Sequence, residues 1–225
     1  MTGRGASLLC AVLLALSGCA AEAVPEETAA PAATPSAERT LIVCMGDSIT
    51  AGYGVYTDGE MYSAYLQELL GDRARVTAYG TPGETLREAS VYSSPALNAG
   101  ADTVLLQFGT NDASPSLFRA DAFREAAEKL LDTHIEALGS ENVAFLLPPC
   151  VYPADGDIAS FGMSAETLAE VRTILTEVCA EKGVAVVDLY AATCEHPEWF
   201  PDGVHPSAEG NQAIAQAIFD ALFAE

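Results

Sequence analysis

Residues Leu41 to Val55 read LIVCMGDSITAGYGV, an apolar run that stops at Gly46-Asp47-Ser48. Leu41 through Met45 are apolar without a break. A strand with one wet face alternates polar and apolar, so an unbroken run marks one covered on both faces, as in a parallel sheet. Working outward, similar short runs predict strands at Thr40–Met45, Arg75–Tyr79, Thr103–Phe108, Asn142–Leu147 and Val184–Leu189. Between them, spacings of three and four predict helices over Met61–Leu70, Glu84–Ser90, Ala120–Leu138, Ala165–Lys182 and Ser207–Phe223. Phe123, Ala127, Leu130, His134 and Leu138 form one such stripe, with charges opposite. Strict β-α alternation with right-handed crossovers predicts a three-layer α/β/α sandwich around a five-stranded parallel sheet.

The chain has 225 residues, 50% of them apolar and 19% charged, which suits one globular domain with a sizeable core. Lys and Arg number 10 against 32 Asp and Glu, a formal charge of −22. Such a surface excludes charge-driven binding to nucleic acid or to an anionic membrane. It suits a neutral or cationic small-molecule or polysaccharide substrate.

Residues 1–18 carry Arg4 and an apolar run from Ala6 to Leu16, shorter than a bilayer span. The run ends in Leu16-Ser17-Gly18-Cys19, which resembles a bacterial lipobox; Cys19 is then the lipidated first residue of the exported protein. A plain cleaved signal peptide that contains a cysteine is the alternative. Residues 19–39, rich in Ala, Pro and Glu, read as a flexible tether, and residues 40–225 as the folded domain. The expected location is therefore the cell surface or the periplasmic side of a membrane, reached through the N-terminal lipid alone, with the domain as a monomer. Of the other cysteines, Cys44 and Cys179 fall on apolar faces, whereas Cys150 and Cys194 each follow a predicted strand, where an exported protein could join them. Neither Cys-x-x-Cys nor His-Glu-x-x-His occurs, so no metal site has motif support.

In parallel sheets the ligand site lies beyond the carboxyl ends of the strands. Ser48 follows the first predicted strand, Gly83 the second and Asn111 the third; Asp202 and His205 follow the fifth. A serine hydroxyl attacks well only when a base takes its proton and a third group holds the base. The stretch FPDGVHPS supplies that pair: Asp202 and His205, three apart, can lie side by side and leave one ring nitrogen for Ser48. Attack on an ester carbonyl also needs donors where negative charge develops. The Ser48 N–H, the Gly83 N–H (close because glycine lacks a Cβ) and the Asn111 amide meet that need. Asp47 and Asp112 are expected to brace loops through backbone hydrogen bonds.

Each residue also has a plainer account. Ser48 could be a turn or helix cap, Asn111-Asp112 a turn pair, and Gly80 loop punctuation. His134 sits on a helix stripe far from the strand ends and is expected to be packed. His196, in CEHPEWF, stands at the correct edge but has no acid three residues before it. It lines the substrate cleft in one reading, together with Trp199 and Phe200. In PPCVYPADGDIASFGMS, Tyr152, Phe161 and Met163 are either pocket walls or parts of a surface crossover.

Four blocks together resemble the SGNH hydrolases, also called GDSL-type esterases and lipases. They are Gly46-Asp47-Ser48, Gly80-x-x-Gly83-x-Thr85, Gly109-x-Asn111-Asp112 and Asp202-x-x-His205, with Ala78 where the glycine block commonly begins with asparagine. The resemblance spans Leu41 to Leu222. It implies a flavodoxin-like fold, no metal or organic cofactor, a Ser48–His205–Asp202 triad, and an oxyanion hole from Ser48, Gly83 and Asn111. The implied activity is ester hydrolysis through an acyl-enzyme, with short acyl groups such as acetyl on carbohydrate. A lysophospholipase- or thioesterase-like hydrolase is an alternative, as is a binding module that kept the fold without turnover.

Overall fold

The computed structural model describes residues 39–55, 57–152 and 162–224. The expected signal peptide, Cys19, nearly all of the expected tether, and Phe161 lie outside the described residues. The strands are β1 (Thr40–Gly46), β2 (Ala74–Gly80), β3 (Thr103–Gln107), β4 (Val143–Leu147) and β5 (Ala185–Asp188). The helices are α1 (Tyr62–Leu70), α2 (Leu86–Ala89), α3 (Pro95–Asn98), α4 (Ala120–Leu138), α5 (Ala165–Lys182), α6 (Leu189–Thr193) and α7 (Ala208–Leu222). All four strand pairings are parallel, in the order β2-β1-β3-β4-β5.

Alternation along β1 explains its unbroken apolar run. Leu41, Val43 and Met45 join one core with Val104, Leu106, Phe145 and the inner faces of α2 to α5. Ile42 and Cys44 join the other, with Leu105, Leu146 and residues of α1, α6 and α7. Both faces of the sheet are thus covered, which gives the three layers expected from sequence. Helix ends follow side-chain chemistry: Ser164 accepts from Thr167 N at the start of α5, and Ser207 from Gly210 N at the start of α7.

Two predicted elements shrink on inspection. The helix expected over Glu84–Ser90 is a single turn, Leu86–Ala89, behind a Thr85–Glu88 capping box. The last strand stops at Asp188, whose side chain accepts from Ala191 N and starts α6. α3 and α6 were not expected at all, because one helical turn holds too few residues to display a period.

Gly80 is more than punctuation. It closes β2 beside the turn that leaves β1, and a Cβ there would stand 2.2 Å from Ala51 N and 2.7 Å from the Asp47 carbonyl oxygen. Those two groups bond each other at 3.0 Å within the turn that carries Ser48. Gly80→Ala is therefore expected to cost about 1–3 kcal/mol, read as a lower urea midpoint, and to displace that turn. An unchanged midpoint would show that the turn is not pressed against β2.

Candidate active site

β2 lies on one side of β1 and β3, β4 and β5 lie on the other, so the chain reverses its direction of travel between β1 and β3. At such a switch point the loops leaving the strands diverge and open a crevice. Ser48 sits in the turn after β1, Asn111 just beyond β3, and Gly83 beyond β2.

His205 Nε2 lies 2.9 Å from Ser48 Oγ, and its Nδ1 lies 2.6 Å from Asp202 Oδ2. An ionised carboxylate only accepts, so Nδ1 carries the proton and Nε2 accepts from the Ser48 hydroxyl. The other Asp202 oxygen accepts from Val204 N (2.9 Å) and His205 N (2.7 Å), which locks the turn between acid and imidazole. Partial burial works to raise the Asp202 carboxyl, but the hydrogen bonds from His205 and Val204 outweigh it and hold the group below its usual range. The Tyr53 ring leans on the His205 ring, with centroids 5.4 Å apart.

Three candidate donors have hydrogens to offer. Neither the Ser48 N–H nor the Gly83 N–H has an acceptor among the described residues. Asn111 Nδ2 gives one hydrogen to the Glu84 carbonyl at 2.9 Å and has a second to offer. The backbone gives a second reason for glycine at position 83. A Cβ would meet nothing within 4 Å; the constraint is φ +79°, a conformation other side chains rarely adopt.

Support beneath the site is polar and buried. Asp47 Oδ1 accepts from Ile49 N and Asp112 Oδ2 from Leu86 N, both at 2.9 Å, so each acid braces a loop as expected. Burial pushes the Asp47 carboxyl up to about 7, against the Ile49 N–H and the nearby Thr110 and Gln107, which favour its ionised form from beyond hydrogen-bond reach of Oδ2. Burial likewise raises Asp112 to about 6.

Sequence reasoning missed Asn211. Fully buried, it accepts from Tyr62 N at 2.9 Å and donates to the Pro206 and Ser207 carbonyls, so it ties the chain after His205 to α1. Tyr62 then bonds Thr50, which bonds Gln107 at the end of β3. The signal was present: Asn211 shares an apolar stripe with Ile214, Ala215 and Ile218, where an amide needs buried partners.

The remaining candidates have other roles. His134 is buried, with Nδ1 against the Leu130 carbonyl and Nε2 against Ser94 Oγ, each at 2.8 Å. His196 stacks on Trp199 at 3.8 Å and pairs with Glu198. Tyr152 is a brace rather than a pocket wall: its N–H donates to the Gly203 carbonyl, its hydroxyl to the Thr193 carbonyl, and its ring packs on Phe200. Met163 is buried with Val151 and Val204. Cys150 and Cys194 are not joined; both are free thiols, directed towards the Val151 and Ala191 carbonyls.

The raised Asp47 carboxyl gives a signed stability effect. Below about pH 4 it is protonated whether the chain is folded or not. As pH rises towards 7 the unfolded chain releases that proton first, so native stability falls across this window. An asparagine can still accept from Ile49 N and has no charge to desolvate. Asp47→Asn should therefore lose less of its urea midpoint than the unaltered protein between pH 5 and pH 8, with Asp112 keeping its own contribution in both.

The lipase/acylhydrolase from Enterococcus faecalis is 29% identical, with 80% of this chain and 94% of that one aligned at a TM-score of 0.67. The α/β hydrolase LAE5 from the metagenome of Lake Arreo shares the fold at 21% identity, TM-score 0.68, over 83% and 96% of the two chains. An acetylxylan esterase from Geobacillus stearothermophilus does so at 19% identity and TM-score 0.68, over 84% and 96%. No curated protein matched the chain. The family model for GDSL-like lipases and acylhydrolases matches residues 44–213, which take in Ser48, Gly83, Asn111, Asp202 and His205, and the chain belongs to that family of carboxylic ester hydrolases.

Proposed function

We propose that the chain is a serine esterase that forms an acyl-enzyme on Ser48 and acts on short acyl groups, acetyl above all, carried by carbohydrate. The observation that carries the mechanism is the unbroken hydrogen-bonded line from Asp202 through His205 to Ser48. Ser48 Oγ adds to the ester carbonyl while its proton passes to His205 Nε2. The carbonyl oxygen, now negative, is held by the Ser48 N–H, the Gly83 N–H and the free Asn111 hydrogen. The carbon–oxygen bond to the alcohol then breaks, and the departing oxygen takes the proton from Nε2. Water repeats the sequence and releases the acid. The acetyl preference is supported by the acetylxylan esterase named above, as a protein of the same fold.

One observation favours longer acyl chains. A cavity of about 570 Å³ adjoins Asn111, with Val91, Tyr92, Leu117 and Phe123 in its walls. Rates on acetyl and octanoyl esters of one alcohol decide between the two: a higher kcat/KM for octanoyl would overturn the acetyl reading. Export on a lipidated Cys19, with residues 40–225 as a monomeric domain, belongs to the same proposal and rests on the N-terminal sequence.

Ser48→Ala should abolish hydrolysis of an aryl acetate, by on the order of 10⁴-fold or more, with the unfolding midpoint little changed. Turnover undiminished in that variant would rule the mechanism out, and absence of labelling by a fluorophosphonate would favour a binding module. Asn111→Ala should lower kcat by about 10²–10³-fold with KM nearly constant.

A further inference from the structure

Two of the oxyanion donors ride on different strands, and their spacing has to be fixed. Ser48 follows β1 and Asn111 follows β3, yet both must reach one oxygen to within about 2.7–3.1 Å. Asp47 N donates to the Gln107 carbonyl at 3.3 Å, which ties the two strand ends. Beyond that bond, no main-chain hydrogen bond joins residues 109–112 to residues 47–52 among the described residues. The loop after β3 is held instead from the segment that opens α2. There Asn111 Nδ2 donates to the Glu84 carbonyl and Asp112 Oδ2 accepts from Leu86 N, each at 2.9 Å. The tie from this loop to the Ser48 turn is left to side chains.

Three buried polar atoms at this junction have no hydrogen-bond partner among the described residues: Asp47 Oδ2, Gln107 Nε2 and Thr110 Oγ1. None of the three residues is more than 1% exposed. Asp47 Oδ1 is taken by Ile49 N, so Oδ2 is the oxygen left to accept. The Thr110 hydroxyl and the Gln107 amide are the side-chain donors that favour its ionised form. Apart, two donors and a carboxylate oxygen shut away from water destabilise the fold; closed on one another, all three are satisfied.

We propose that Asp47 and Thr110 are positioning residues of the oxyanion hole. In the working enzyme the Thr110 hydroxyl donates to Asp47 Oδ2 and sets Asn111 at its distance from Ser48. Each stands one residue before a group that meets the substrate, Asp47 before Ser48 and Thr110 before Asn111. A bond between them therefore joins nucleophile and oxyanion donor by the shortest route the chain allows. Hydrogen bonds that are long in a substrate-free site commonly tighten when substrate binds, so the closed contact belongs to the substrate-bound enzyme. This inference rests on the esterase reading above and adds to it what aligns the donors.

The test is steady-state turnover of an aryl acetate by the full chain at about pH 8.5, where Asp47 is ionised. Thr110→Val removes the hydroxyl but keeps the shape, and should lower kcat about tenfold with KM nearly constant. Thr110→Ser keeps the hydroxyl and should recover most of that loss. Added to Asn111→Ala, Thr110→Val should lower kcat by less than about twofold further, because the group it positions is gone. Asp47→Asn still accepts from Ile49 N but places an NH2 group where Oδ2 stood. It should repeat both the loss and its disappearance beside Asn111→Ala, which keeps the test open should Thr110→Val fail to fold. An unchanged kcat in Thr110→Val, a loss that Thr110→Ser shares in full, or an undiminished loss beside Asn111→Ala would each overturn the proposal and leave the esterase standing. An aryl acetate inert to the unaltered protein would remove the esterase reading, and this inference with it.

Discussion

Ser48 and His205 are 157 residues apart in the chain and 2.9 Å apart in space, and the hydrogen bond between them sets the demands on everything around it. A hydroxyl and an imidazole that far apart in sequence meet only if the elements that carry them are rigid. β1 supplies one anchor, since the apolar residues of its interior are buried on one face of the sheet or the other. The other anchor is a loop, and loops need bracing. Asp202 ties it from within through two backbone N–H groups, Tyr152 from the segment after β4, and Asn211 from the first turn of α7.

That division explains what could be read from the sequence. The unbroken run of β1 announced a strand covered on both sides, and α4 and α5 begin and end where their stripes predicted. Asp202 and His205 were legible as a pair because they stand three positions apart. Ser48 could be joined to them only through the rule that loops of a parallel sheet gather at one edge. The short helices α3 and α6 went unread, and so did contacts whose partners lie far along the chain. Tyr152 stayed open between pocket wall and surface crossover because an aromatic in an unpatterned loop carries no sign of the Gly203 and Thr193 carbonyls it meets. Gly83 was singled out for its missing Cβ, and the backbone angle adds a second reason for glycine there.

Below the site, the interior is less oily than the sequence suggests. Thr50, Tyr62, Gln107 and Asn211 form a buried polar chain that links the ends of β1 and β3 to α1 and α7. Such chains cost stability wherever a member lacks a partner, and they fix relative position more sharply than apolar contact does. A site that must hold a hydroxyl and a ring nitrogen within hydrogen-bond distance gains from that stiffness.

The open N–H groups of Ser48 and Gly83 matter again once the acid is set free. Donors arranged for a transient oxyanion hold a carboxylate almost as well, so the freshly formed acid would linger and obstruct the next cycle. A chain with 32 acidic residues against 10 basic ones carries a net field that drives anions outward. A net charge of −22 favours departure of an anionic product from the crevice by the same repulsion.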